Sequence, residues 1–235
     1  MRLLSRLMAL ALLAVLAAPT APAAELTPHR AEYKVKISVL SGRLNTELKA
    51  TENGYVATHV VKPTGMSKLL ASGQMRVSSA FTPVADGVRP VTYHAIDTIR
   101  GEPEAQIEFD WSDNTASGTV GDDEVLLELD GLSHDSVSIQ YELMYDLLTE
   151  QPNGRYVLFD VDKMRVANIK DAGKKSVKTR AGAYEVVGIQ HQREGSSRVT
   201  TLWCAPELDY LPVVIEQHRK GKLNFRASLA EYVPL

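Results

Sequence analysis

Along most of the chain, apolar and polar residues alternate with a period of two. Tyr33, Val35, Ile37 and Val39 interleave with Glu32, Lys34, Lys36 and Ser38, the pattern of a strand with one dry and one wet face. Ser41-Gly42 makes a turn, Leu44, Thr46, Leu48 and Ala50 repeat the alternation, and Asn53-Gly54 is a strong hairpin signal leading into 55–61. Strand-like runs resume at 74–79, 91–100, 105–111, 115–120 and 125–129, punctuated by Pro83, Asp86-Gly87, 101–103, Asp113-Asn114 and 121–123. They return at 156–161, 164–169, 176–179 and 184–190. Two further runs, 199–203 and 211–217, flank a segment holding Pro206 and Asp209, and Lys220-Gly221-Lys222 turns into Leu223, Phe225, Ala227 and Leu229. The carboxy-terminal part therefore predicts a three-strand antiparallel meander. Short strands at regular spacing, with no helices alternating between them, give a mainly β sandwich or barrel of about thirteen antiparallel strands.

Two segments break the alternation. Residues 62–72, with Pro63 and Gly65, bring Met66, Leu69 and Leu70 together in a loop with a helical turn that could pack over one mouth of a sheet. The second break, 136–149, predicts one amphipathic helix. Val137, Tyr141, Met144, Tyr145 and Leu148 share one side, Leu143 and Leu147 widen it, and Ser138, Glu142, Asp146 and Thr149 fall opposite. Ser133 or Asp135 can cap its start. An apolar arc of roughly half the circumference exceeds the usual stripe of about 100°. Such a helix calls for cover on two sides, as when it closes the mouth of a curled sheet.

The chain opens with Arg2 and Arg6, the apolar run 7–18 and a small-residue stretch containing Ala21-Pro22-Ala23, which is how a cleaved secretory signal reads. A periplasmic location follows, with residues 1–23 removed near Ala23 and 24–235 forming a single β-rich domain that does not span the membrane. No Cys stands at the cleavage point, against a lipid anchor. Loss of the two arginines takes the formal net charge from −3 to −5, which disfavours nucleic acid as a partner. Cys204 is the sole cysteine, so no intramolecular disulfide forms. It is expected to be a buried apolar side chain, the alternative being a link between two chains.

Candidate chemistry is sparse. Ser133-His134-Asp135 spells a triad in sequence, but consecutive residues cannot aim at one another in a relay, and capping accounts for them better. No G-x-S-x-G elbow or S-x-x-K pair occurs. His29, His59, His94, His134, His191 and His218 show no metal-ligand spacing, and no metal or cofactor is expected. Asp122-Asp123-Glu124 reads as a solvated hairpin tip, and Lys174, Lys175, Lys178 and Arg180 as a basic turn. A nucleophilic Cys204 would need a base such as His218 nearby. A cleft gathering His94, Asp97 and Glu108 would be the remaining sign of an enzyme.

Several short features, taken in order, resemble the domain of unknown function 3108 family of bacterial envelope proteins. They are Tyr33-Lys34-Val35 followed by Gly42, Gly87-Val88-Arg89-Pro90 before Tyr93, and Ile107-Glu108-Phe109-Asp110-Trp111. Asp130 to Tyr141 before the helix, Gly182-Ala183-Tyr184, Thr201-Leu202-Trp203 and Leu211-Pro212-Val213 complete the set. The resemblance runs along nearly all of the chain after the signal and carries over no catalytic residue. It implies a heavily curled antiparallel sheet, a β-spiral-like open barrel of the kind that handles lipids or lipoproteins.

The leading expectation is a non-enzymatic cell-envelope protein that holds a lipid or amphipathic small molecule in a curled-sheet groove. Tyr141, Met144, Leu147 and Leu148 from the helix and Met66 and Leu70 from the loop would contact the ligand. Val56, Val60, Val186 and Val187 hint at strands apolar on both faces. The alternative is an interaction module for an envelope or cell-wall protein, binding through a sheet edge or apolar patch. An enzyme without a recognisable signature comes last.

Overall fold

A computed structural model describes residues 25–151, 154–160 and 163–235. The expected export signal lies outside these residues. Among the described residues, fifteen strands form one sheet, accompanied by two helices. The first eight are β1 (His29–Ile37), β2 (Leu40–Thr51), β3 (Gly54–Pro63), β4 (Met75–Val84), β5 (Gly87–Asp97), β6 (Glu102–Asp110), β7 (Thr115–Val120) and β8 (Asp123–Glu128). A one-turn helix α1 (Ser67–Leu70) lies between β3 and β4. The second half runs β9 (Ser133–His134), α2 (Ser138–Thr149), β10 (Arg155–Asp160), β11 (Lys163–Lys178), β12 (Ala183–Arg193), β13 (Arg198–Ala205), a 3-10 turn Pro206–Leu208, β14 (Leu211–Arg219) and β15 (Lys222–Pro234).

The strand order is β8-β7-β6-β5-β4-β3-β2-β1-β15-β14-β13-β12-β11-β10-β9. Two antiparallel meanders thus leave a shared centre in opposite directions, joined where β1 pairs with β15, for example Tyr33 with Leu229 and Val35 with Ala227. The one parallel pair is β9 with β10, the strands on either side of α2. The sheet does not close by hydrogen bonds. Instead it curls until its far parts pack through side chains: Ile107, Phe109 and Ala116 of β6 and β7 share a cluster with Phe159 of β10 and Met164 of β11. The edge strand β9 comes to rest beside β5.

This is the curled open barrel expected, with two corrections of detail. Residues 164–169 and 176–179 belong to one strand, β11, which passes through 170–175 with a bulge at Asp171/Gly173. The basic cluster Lys174, Lys175 and Lys178 therefore lies on a strand and not on a turn. Ser133-His134 also forms a strand, too short to alternate visibly. Pairing with the longer β10 compensates for that shortness.

The helix is the core of the molecule. Val137, Tyr141, Met144 and Tyr145 pack into the central cluster with Tyr33, Val35, Phe81 and Val88. Leu143, with Ile139 and Leu147 partly buried, packs on Tyr156, Ile189, Leu202 and Cys204. Cover on two sides, as the wide apolar arc required, is what the curled sheet provides. Burying Leu143 and Met144 is worth roughly 1.5–3 kcal/mol apiece.

Candidate functional site

The polar side of α2 was expected to face water, yet Ser138, Glu142 and Asp146 are all buried. The sheet wraps the helix so far that these three side chains lie inside, where each has a hydrogen-bond partner. Asp135 is the cap: its Oδ1 accepts from Val137 and Ser138 N–H at 2.7 and 2.8 Å, its Oδ2 accepts from Ser79 Oγ at 2.6 Å, and Ser138 Oγ accepts from Asp135 N–H at 2.9 Å. Burial raises the Asp135 pKa and these hydrogen bonds oppose the rise.

Glu142 holds the helix to the β4–β5 turn. Its Oε2 accepts from Val88 N–H at 2.7 Å, and the carboxyl group lies where a Cβ on Gly87 would stand, 2.4 Å from Oε2. Glycine at φ +144 is what lets the backbone approach this closely. Burial raises Glu142 to about 8, the Val88 hydrogen bond pulls it down, and nearby Asp146 and Asp86 push it further up. His134 Nε2 is 3.9 Å from Glu142 Oε1, beyond hydrogen-bond reach. Burial lowers His134 to about 3, so at neutral pH the two face each other uncharged and do not form an ion pair. Farther along the helix, Tyr156 OH donates to Asp146 Oδ2.

With α2 fixed in this way, a cleft remains between it and β10–β12. It encloses about 560 Å³. Leu143, Leu147, Tyr156, Ile169, Val187 and Ile189 make its apolar wall and Tyr210 closes one side, while Glu150, Lys170, Asp171 and Lys174 stand exposed at its rim. The one carboxyl in the lining, Asp146, is engaged by Tyr156 OH, and an otherwise apolar interior with charges of both signs at the mouth suits a molecule with an apolar body and a polar head. On β12, Val186 belongs to the central cluster and its neighbour Val187 packs on the second, so this strand is apolar on both faces, as its sequence hinted.

The six residues expected to contact a ligand are not gathered in one place. Leu147 lines the cleft. Leu148 packs against the central cluster, and Tyr141 and Met144 are wholly inside it. Met66 and Leu70 stand in solvent on α1. Helical periodicity defines which residues share an arc; it does not say that the arc is divided between two packing partners. Leu143, Tyr156, Ile169, Val187, Ile189 and Tyr210 were missed because they come from four separate elements and the turn before β14, which only the curl brings together.

The other candidates are dispersed. His94 Nε2 is 2.6 Å from Glu104 Oε1 on the exposed β5–β6 hairpin, while Asp97 accepts from Ile99 and Arg100 N–H in the adjoining turn. No cleft gathers His94 with Asp97 and Glu108. Cys204 is buried, and burial raises its thiol pKa. It pairs in register with Pro212, whereas His218 pairs with Val199 at the other end of the strand, so the proposed base is out of reach. Among the described residues, no group of three or more His, Cys, Asp or Glu side chains could hold a metal ion, and no helix is long and apolar enough to cross a membrane.

The family model described as "Protein of unknown function (DUF3108)" matches residues 30–223. No curated protein matches the sequence. Among solved structures, the chain is similar to a β-barrel-like protein of domain of unknown function DUF1849 from Brucella abortus. The TM-score is 0.59 at 16% identity, covering 90% of this chain and 99% of that one. Weaker likenesses, both with TM-score 0.33 and 11% identity, are to a candidate exported protein with a YmcC-like fold from Bacteroides fragilis and a candidate lipoprotein from Parabacteroides distasonis. They cover 88% and 91% of this chain, and 94% and 98% of theirs. The Brucella likeness supports the β-barrel-like fold alone.

Proposed function

From the premise that this chain belongs to the DUF3108 family of proteins of unknown function, we propose that it is a non-enzymatic envelope protein holding a lipid or other amphipathic ligand in the cleft beside α2. The observation that carries this reading is the lining: a wall from Leu143 to Ile189 that is apolar apart from Asp146, which Tyr156 OH engages, with the other ionisable groups at the mouth. Its volume of about 560 Å³ falls in the range of roughly 300–1,000 Å³ typical of small-molecule sites. The polar groups nearest the wall are already engaged with each other, Tyr156 with Asp146, which favours retention of a ligand over chemistry on it. The Arg2 and Arg6 leader with its apolar run supports a site of action outside the cytoplasm.

The test is native mass spectrometry of the processed protein, purified from the cell envelope fraction without detergent. A reproducible added mass that extracts into organic solvent is the expected result. A bare-protein mass, together with no uptake of a fluorescent fatty acid, would overturn the cleft reading. An interaction module would then move forward, since β8 is an open sheet edge with Leu126 exposed.

A further inference from the structure

The turns that close β1–β2, β3–β4 and β14–β15 lie together at the end of the sheet opposite to the β13–β14 connection, which holds Tyr210 of the cleft. They are laced to one another. Ser38 N–H donates to Asn224 O at 3.2 Å, Thr64 N–H to Ser41 O at 3.0 Å and Ser41 N–H to Ser67 Oγ at 2.7 Å. From this junction project Val39, Met66, Leu69 and Leu70, which are 89, 76, 78 and 76% exposed, with Leu223 and Ile37 beside them. Ser67 is the only buried residue of α1, so the segment anchors itself through a serine and turns its leucines outward. Apolar tips presented together in this way are a contact surface and not a shortage of core.

The strands and turns that carry these tips are basic, while the adjoining β5–β6 turn adds Asp97, paired with Arg100, and an exposed Glu102. Residues 33–46, 60–76 and 217–230 carry Lys34, Lys36, Arg43, Lys62, Lys68, Arg76, Arg219, Lys220, Lys222 and Arg226 without a single Asp or Glu, in a chain whose net charge is −3. Arg43 and Arg226 are paired, with Glu32 and Glu216. Lys36, Lys62, Lys68, Lys220 and Lys222 are exposed, and no ion pair engages them among the described residues. The recess behind the tips, bounded by Val35, Leu40 and Ile99, measures about 70 Å³, too small for the large aromatic anchors that dominate protein interfaces. A second copy of the chain would set these lysines against their own equivalents.

We propose that this end of the sheet docks on the anionic surface of a lipid bilayer. Val39, Met66, Leu69, Leu70 and Leu223 enter the boundary between headgroups and acyl chains, and the five free lysines meet the phosphates. Apolar side chains ringed by basic ones are how a peripheral protein lies on a membrane without spanning it. Nothing in this contact requires the cleft to be occupied, so the two proposals stand or fall separately.

The experiment is flotation of the processed chain with vesicles of phosphatidylethanolamine containing about one-third phosphatidylglycerol, against vesicles of phosphatidylcholine alone. Binding to the anionic vesicles at low salt, largely lost at about 0.5 M salt, is expected. Each of Lys62→Glu, Lys68→Glu, Lys220→Glu and Lys222→Glu should lower partitioning about fivefold or more. The triple variant Met66→Ser, Leu69→Ser, Leu70→Ser should lower it tenfold or more while keeping the native thermal midpoint, because all three side chains are in solvent. No flotation of the wild-type chain, equal flotation with both vesicles, or triple and lysine variants that float like wild type would each overturn the proposal. So would a dimer in vesicle-free solution that the triple variant disperses, which would assign the surface to a second copy.

Discussion

Replacing Glu142 by glutamine should make the protein more stable above neutral pH and remove one limb of its pH dependence. In the unfolded chain this carboxyl ionises near 4.5, while in the folded protein burial holds its proton to about 8. Because the folded value is the higher one, its contribution is fully present below pH 4.5 and is lost as the pH rises through 8. The slope is up to ~1.4 kcal/mol per pH unit, and across the interval it amounts to about 5 kcal/mol. Histidines shape the opposite limb. His134 is lowered to about 3 and His59 and His191 to about 4, each mainly by burial. Their contributions are present above pH 6.5 and lost as the pH falls through those values. Wild-type stability should therefore peak near pH 6.5, decline through Glu142 to about pH 8 and level off above it. Glutamine keeps an acceptor for Val88 N–H and cannot ionise. Urea denaturation from pH 5 to 9 should show, in Glu142→Gln, a steeper acid limb and no decline between pH 6.5 and 8. A stability difference between the two proteins that stays constant from pH 5 to 8 would refute the argument that this carboxyl is buried in its neutral form.

Three further outcomes follow from the same packing. Leu147→Asp places a carboxylate on the apolar wall of the cleft, and retention of the co-purified ligand, read by native mass spectrometry, should fall at least tenfold, about 1.4 kcal/mol, with the fold preserved; unchanged retention would remove Leu147 from the site. Gly87→Ala drives a Cβ to 2.4 Å from the Glu142 carboxyl at φ +144, and thermal denaturation should register a loss of about 2 kcal/mol or more. Cys204, buried with a raised thiol pKa, should resist thiol reagents in the native protein and react once urea unfolds it, and the chain should run as a monomer on non-reducing gels; rapid native labelling would contradict its burial.

The two ends of the sheet do different things in this account. The β11–β12 and β13–β14 connections share the end where Tyr210 bounds the cleft, while the β1–β2 and β14–β15 turns carry the basic apolar surface. Antiparallel meandering makes this separation natural, because alternate turns fall at opposite ends of the strands.

Much of the fold was legible in local pattern. Period-two alternation located the strands of both meanders, Asn53-Gly54 and Lys220-Gly221-Lys222 marked real hairpin turns, and the wide apolar arc of residues 137–148 announced a helix covered on two sides. These signals are local, set by residues a few positions apart, and each strand or helix expresses them wherever it comes to lie. What the tertiary structure alone decided depends on the curl. It divided the helical arc into a central cluster holding Tyr141 and Met144 and a cleft wall holding Leu147. It enclosed Glu142 and Asp146, which as isolated helical residues look like a wet face, and supplied Val88 N–H and Tyr156 OH to satisfy them. It brought Ile169, Val187, Ile189 and Tyr210 to one cleft, and Val39, Met66 and Leu223 to one surface, across long stretches of chain. Periodicity determines which side of an element is apolar; which neighbour meets that side is fixed by how far the sheet bends, and that angle is a sum over fifteen strands that no single stretch of sequence contains.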